Sequence, residues 1–171
     1  MSKLYNEIYK LKNLCRKGWV IRNAKDNETG RTESDAEHTF SMCLLAMEIM
    51  GKEKLDLNQE KVLKMCLVHE LCEIDAGDVT PFDDVTLEEK FRCELCCVER
   101  LSAECEMPEI LLLWQEFEDM ETPEAKFVKI IDKLDAVMQA KIYSEKTNNP
   151  EIFEEFYNRA YPLIKDFVKY I

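Results

Sequence analysis

The sequence predicts an all-α protein, a single domain over residues 1–171 built as a bundle of about six to seven helices. Three observations carry that expectation. Four glycines and five prolines are too little turn material for a sheet in a chain of 171 residues. Glu, Leu and Lys, all good helix formers, abound in a composition that is 46% hydrophobic. Helix starts are also marked. Ser34 with Glu37 and Thr86 with Glu89 fit the reciprocal capping box, and Asn58 is a further cap. Thr122-Pro123 and Asn149-Pro150 each set a cap residue before proline at the first helical position.

Taken in order, the first helix is expected over 2–16, charged throughout and closed near Gly18. The second, over 35–50 and closed by Gly51, is apolar almost all round. Phe40, Cys43, Leu44, Met47 and Met50 cover one face, while Met42, Leu45 and Ile49 share another with His38. Such a helix belongs in the middle of a bundle. The third, over 59–74, places Val62, Met65 and Cys66 on the face of His69. Helices over 87–106 and 108–118 follow. In the helix over 123–146, Phe127, Ile130, Ile131, Leu134 and Met138 form the core stripe, and Asp132 and Asp135 share a different face at i, i+3 spacing. The last helix, over 151–170, carries Phe153, Phe156, Tyr157, Tyr161, Leu163, Ile164 and Phe167. These exceed the needs of one core stripe and predict self-association there.

Charge and cysteine content narrow the function. With 35 acidic against 23 basic side chains the formal charge is −12, which disfavours nucleic-acid polymers and anionic membranes as partners. No apolar run approaches the ~18 residues of a membrane span and no export signal is visible, so a cytoplasmic protein with reduced thiols is expected. Of the eight cysteines, Cys93, Cys96 and Cys97 contain the one Cys-x-x-Cys spacing. They sit at i, i+3 and i+4 of a helical stretch without a second pair, and read as small core hydrophobes rather than a zinc site.

Two histidines stand out, His38 and His69, and His69 is followed by Glu70, Glu73, Asp75 and Asp78 within nine residues. Carboxylates this dense raise one another's pKa unless a cation neutralises them or they lie on separate solvated surfaces. Either histidine alone is more often a hydrogen-bonded core residue than a ligand. A buried set of His38, His69, Glu70 and Asp132, however, needs compensation that a divalent metal supplies. Adjacent His69 and Glu70 are ~100° apart on a helix, yet at a helix end both can bend around one ion. His69-Glu70-x-x-Glu73 lacks the second histidine of the zinc-protease motif, and no pair of Glu-x-x-His steps for a di-iron bundle exists.

These residues match a known pattern. His38, then His69 followed by an acid, then Asp132 within Lys129-Ile-Ile-Asp132-Lys-Leu-Asp135, resemble the His…His-Asp…Asp signature of the HD-domain metal-dependent phosphohydrolases, and within them the 5′-deoxynucleotidase branch. Gly18-Trp19-Val-Ile-Arg22-Asn23, Ser34-Asp-Ala-Glu37-His38 and Glu73-Ile-Asp-Ala-Gly77-Asp78-Val-Thr80-Pro81 extend the likeness over about residues 11 to 142. The resemblance implies an HD-like helical core with one divalent ion (Mn, Co, Mg, Fe, Ni or Zn), often in a homodimer, hydrolysing nucleoside 5′-monophosphates or a similar small phosphomonoester. By position, His38, His69, Glu70 and Asp132 would be metal ligands. Glu73 would transfer the proton, and Asp78 would orient the sugar or assist it. Arg16, Lys17 and Arg22 would clamp the phosphate, with Trp19 and Thr80 also on the substrate; the plain alternatives are a solvated cationic turn and, for Trp19, a core anchor.

Two departures from the pattern are visible. The His-Asp doublet is His69-Glu70 here, and the extra methylene moves the carboxylate by ~1.5 Å. The segment Asn23 to Ser34 is also several residues longer, making Arg31 a candidate to enter the site. The competing reading is an HD-fold nucleotide-binding or scaffolding protein whose Glu70 has cost it turnover. A third is a helical interaction module with acidic faces.

Overall fold

A computed structural model describes residues 2–80 and 82–171; Pro81, the end of the third motif, lies outside them. Seven helices of ten residues or more form the bundle: α1 (Lys3–Asn13), α3 (Asp35–Glu53), α4 (Gln59–Val68), α6 (Leu87–Glu104), α7 (Pro108–Asp119), α8 (Pro123–Thr147) and α9 (Pro150–Ile164). Two single-turn helices, α2 (Lys17–Val20) and α5 (Glu73–Ala76), and a closing 3₁₀ segment (Lys165–Tyr170) complete the described chain.

The caps form as their residues dictate. Ser34 accepts from the Glu37 amide while Glu37 reaches back to the Ser34 amide, and Thr86 and Glu89 repeat the arrangement. Asn58, Thr122 and Asn149 accept from the first turns of α4, α8 and α9. Each such cap contributes about 1 kcal/mol, enough to settle where a helix starts.

Helix ends depart from expectation. The first helix stops at Asn13, and residues 14–16 pair with 33–35 through Arg16 N–H to Glu33 C=O at 3.0 Å and Asp35 N–H to Leu14 C=O at 3.0 Å. That clip carries Arg16 to the start of α3. Gly51 lies inside α3, which ends instead at left-handed Lys54 (φ 52°). Gly18 lies inside α2, where a Cβ would stand 3.8 Å from Phe156. The largest correction concerns 59–74: α4 ends at Val68 with His69 as its C-cap, a turn follows, and α5 starts at Glu73.

The core is centred on α3, α4 and α8, whose Met42, Ala46, Ile49, Val62, Met65, Cys66, Val128, Ile131 and Leu134 are fully buried. Burying one such large apolar side chain is worth roughly 1.5–3 kcal/mol. A smaller cluster joins Trp19, Ala24, Ala140, Tyr143 and Ile152 beneath the α8–α9 hairpin.

Two expectations about burial are corrected. Phe40, Leu44 and Met47 of α3 are exposed, because α1, α4 and α8 cover the other sides of that helix and leave this stripe outside. Cys93 and Cys96 are exposed and Cys97 alone of the three is buried, since the inward stripe of α6 runs through Glu94, Cys97, Val98 and Leu101. All eight cysteines are free thiols. In α9, Ile152 and Ile164 are buried and Phe153, Phe156 and Tyr157 half-buried in packing, so most of its aromatic excess is used within the chain.

Candidate metal centre

His38 stands one turn into α3 and is wholly buried; His69 caps the C-terminus of α4; Asp132 projects from the middle of α8. Their ligand atoms and one from Glu70 lie within 4.8 Å of one another. The helix break at Val68 makes this convergence possible. In an unbroken helix successive side chains diverge by ~100°, whereas in the turn Glu70 Oε1 comes within 3.1 Å of His69 Nε2 and 3.6 Å of His38 Nε2.

The tautomers follow from the partners. His69 Nδ1 lies 2.7 Å from the Cys66 carbonyl, which only accepts, so Nδ1 carries the proton and Nε2 presents a lone pair. His38 Nδ1 lies 2.7 Å from Asp135 Oδ2, which orients that ring in the same way. Among the described residues His38 Nε2, His69 Nε2 and Glu70 Oε2 are buried without a hydrogen-bond partner. Orphaned donor atoms aimed at one point fit a divalent cation, and imidazole plus carboxylate is a donor set for first-row metals.

Electrostatics support the fit. Burial and the Arg16 charge press the His38 pKa down, yet Asp132 and Asp135 raise it to about 9, so this position calls for positive charge. Glu70 and Asp132 are pushed up by burial, but the former beside His69 and Arg16 and the latter beside Lys133 and His38 are held well below the carboxylate range. Arg16 is the hub: its Nη1 donates to Glu70 Oε1 at 3.2 Å and lies 3.9 Å from Asp35.

Next to this set Asp35, Glu73 and Asp78 bring a second carboxylate group within 4.8 Å. Both Asp35 oxygens and Glu73 Oε2 are buried without a partner. Burial, then the Glu70 charge, raises Asp35 to about 8 despite Arg16; burial, then Glu70 and Asp35, lifts Glu73 well above its usual value. Burial and like charge thus favour the protonated forms of Asp35 and Glu73.

A cavity of about 430 Å³ opens beside the centre, lined at one end by Arg16, Asp78 and Lys133 and at the other by Phe82, Phe156 and Arg159. Lys133 Nζ is 2.7 Å from Asp132. Of the anticipated substrate contacts, Arg16, Trp19, Arg22 and Thr80 line this space and Lys17 does not; its ammonium pairs with Asp83. Trp19 is a core anchor, donating to Glu33 Oε2 at 2.9 Å and stacked on Phe156. The Arg22 guanidinium is taken by Glu155 and the Gly18 carbonyl, and the Thr80 hydroxyl donates to Asp83 at 2.9 Å. Arg31 stays outside, paired with Glu37 at 3.0 Å.

The sequence alone did not mark Glu33, Asp35, Lys133 and the α9 residues as parts of the site, whereas Asp135 shares the face of Asp132 at i, i+3. Asp35 stands three positions from His38 on the same helix, the spacing that also pairs Asp135 with Asp132. For Phe156 and Arg159 no local signal exists.

Three helices and the turn after α4, bringing two imidazoles and two carboxylates to one buried point with a cation-lined cavity beside them, define an HD-type phosphohydrolase. The HD domain family matches over residues 8–171, and the chain belongs to that family. It is 35% identical over 160 residues to a zebrafish (Danio rerio) 5′-deoxynucleotidase HDDC2, covering 92% of this chain and 76% of that one. The Homo sapiens protein of the same name is 34% identical, covering 88% and 72%, and the 5′-deoxynucleotidase YGK1 of Saccharomyces cerevisiae is 33% identical, covering 96% and 76%. Among solved structures the PH0347 protein from Pyrococcus horikoshii superposes with a TM-score of 0.75 at 27% identity, over 99% of this chain and 96% of that one. An HD-domain phosphohydrolase from Listeria innocua, at 21% identity and TM-score 0.73 over 98% of this chain and 81% of that one, shares the fold.

Proposed function

We propose that this enzyme removes the 5′-phosphate from deoxyribonucleoside monophosphates with the help of one divalent cation. The observation that carries the reading is the buried, unpartnered His38 Nε2 and His69 Nε2, whose ligand atoms lie within 4.8 Å of one each from Glu70 and Asp132, beside a cavity lined by Arg16 and Lys133. The relatives named 5′-deoxynucleotidase supply the substrate class.

His38, His69, Glu70 and Asp132 would hold the ion; two nitrogens and two carboxylates suit Mn, Fe, Co, Ni or Zn, with Mg less well matched. When bound, such an ion neutralises phosphoryl charge and acidifies the attacking water. Arg16 and Lys133 meet the remaining phosphate charge. Glu73, kept protonated by its surroundings, gives its proton to the departing 5′ oxygen. Asp78, held by the Lys17 amide, orients the sugar. Arg22 and Trp19 shape the wall rather than clamp the phosphate.

The competing scaffold reading requires Glu70 to be out of reach, and Glu70 sits 3.1 Å from His69 Nε2. Among the described residues no helix is long and apolar enough to cross a membrane. The free cysteines support a cytoplasmic site of action. Self-association as a homodimer is expected from exposed apolar side chains, Tyr161 and Leu163 on α9 and the Phe40–Leu44–Met47 stripe on α3. Sedimentation showing monomer alone at high concentration would overturn it.

The test of function joins metal analysis to phosphate release over deoxy- and ribonucleotides for native protein, Glu70→Asp and His69→Ala. Native protein should bind a divalent metal and release phosphate, and His69→Ala should do neither. No metal bound and no phosphate released by native protein sinks the enzyme reading. Activity confined to Glu70→Asp would favour the scaffold.

A further inference from the structure

The cavity changes character along its length. Its inner end has Arg16, Lys133 and Asp78, while its outer end is walled by Phe82 of the loop after α5 and by Phe156, Arg159 and Leu163 of α9. Small Ala136 and Ala160 also line the cavity. A volume of about 430 Å³ falls within the usual ligand-pocket range. A charged end followed by a flat apolar end matches a nucleotide read from phosphate to base.

The two arginines at the outer end differ in what they have left to offer. Arg22 is committed to Glu155 and the Gly18 carbonyl, with its guanidinium 5.3 Å from the Phe82 ring centre and 5.1 Å from that of Phe156. It is a fixed strut across the mouth. Arg159 is half exposed, and among the described residues its one charged partner is Glu155 at 3.9 Å, beyond hydrogen-bond length. Its guanidinium lies 5.0 Å from the Phe156 ring centre, and that ring is itself stacked on buried Trp19 with centroids 4.3 Å apart. The donors of Arg159 are therefore placed in advance and unused. Phe82 beside them is 68% exposed, an aromatic ring with one face uncovered.

We propose that this outer end is the nucleobase seat and that Arg159 is the specificity-determining residue there, donating to acceptor atoms on the base edge while Phe82 covers its face. The inference rests on the phosphomonoesterase reading and extends it to an element, α9, outside the metal-binding helices. Guanidinium has donors only and can meet the acceptor atoms of a base edge, whereas a bare sugar phosphate anchored at Arg16 and Lys133 carries no base to reach it.

The test compares metal-loaded native enzyme with Arg159→Ala, Arg159→Lys and Phe82→Ala on the four deoxyribonucleoside 5′-monophosphates and on 2-deoxyribose 5-phosphate. In Arg159→Ala the preference for nucleotide over sugar phosphate should fall by about tenfold, chiefly through KM, the size of one cation–π or charged hydrogen-bond contact. Phe82→Ala should lower it in the same direction, and Arg159→Lys should recover part of the loss. Binding of phosphate-free deoxyribonucleosides, followed by calorimetry, should weaken in parallel. An unchanged preference in Arg159→Ala, or an equal fall on both substrate classes, overturns the proposal. Native enzyme inactive on every substrate would instead bring down the phosphatase reading, and this inference with it.

Discussion

Two groups of acids share one buried space and titrate in opposite directions. Glu70 and Asp132 are held ionised, while Asp35 and Glu73 are held protonated. Burial raises the pKa in all four, so it cannot be what separates them. Partners do. Glu70 has His69 and Arg16, and Asp132 has Lys133 and His38. Asp35 has Arg16 at 3.9 Å and the His38 charge set against Glu70 and Asp78, and Glu73 sits among the acids Glu70, Asp35 and Asp78 with Arg16 opposing them. One group can therefore collect a cation while its neighbour stores an acid, which is how two sets of like side chains come to separate roles in one reaction.

The contrast can be broken from either side. Glu73→Gln removes the stored proton but keeps shape, and phosphate release should drop by about 10²–10⁴-fold while metal content measured by elemental analysis is retained. Equal loss of metal and turnover would place Glu73 with the first group. Asp135→Asn weakens the bond that sets the His38 tautomer; metal affinity by calorimetry should fall about 10–100-fold, and unchanged affinity would show that packing alone orients the ring.

The smallest effect is on stability against pH, followed with chelator present. Asp35 titrates near 8 in the folded chain against about 4 unfolded, so the folded state binds the extra proton and stability falls as pH rises through that window. His38, raised to about 9, adds a loss of the same sign above its unfolded value. Glu70 and Asp132 act oppositely, contributing stability that disappears as pH drops below the usual carboxylate range. Asp35→Asn should flatten the alkaline limb, its Tm gaining on native protein between pH 5 and pH 8. A constant difference would mean that Asp35 is already ionised.

Much of the site was legible in the chain because helical periodicity and ligand chemistry are local. His38 behind the Ser34–Glu37 box and Asp132 opposite the core stripe of α8 both lie where their spacing put them. Glu70 was legible as chemistry but not as geometry, because the apolar pattern runs on to Ile74 while the backbone leaves the helix at Val68. The α3 stripe misled for a related reason. A methionine and two larger apolar side chains read the same whether a neighbour covers them or not.

By itself the sequence determined the helical class, the caps and the central helices, since each depends on residues within a turn or two of one another. Tertiary structure alone decided the sharp end of α4, the pairing of His38 with Asp135, the capture of Arg16 beside Glu70 and the closing of the cavity by α9. Those contacts join residues as far apart as His38 and Asp135, at 97 positions, or Arg22 and Glu155, at 133, and depend on how whole helices pack. Charge state follows the same rule, because the partners that ionise one acid and protonate another arrive from different helices.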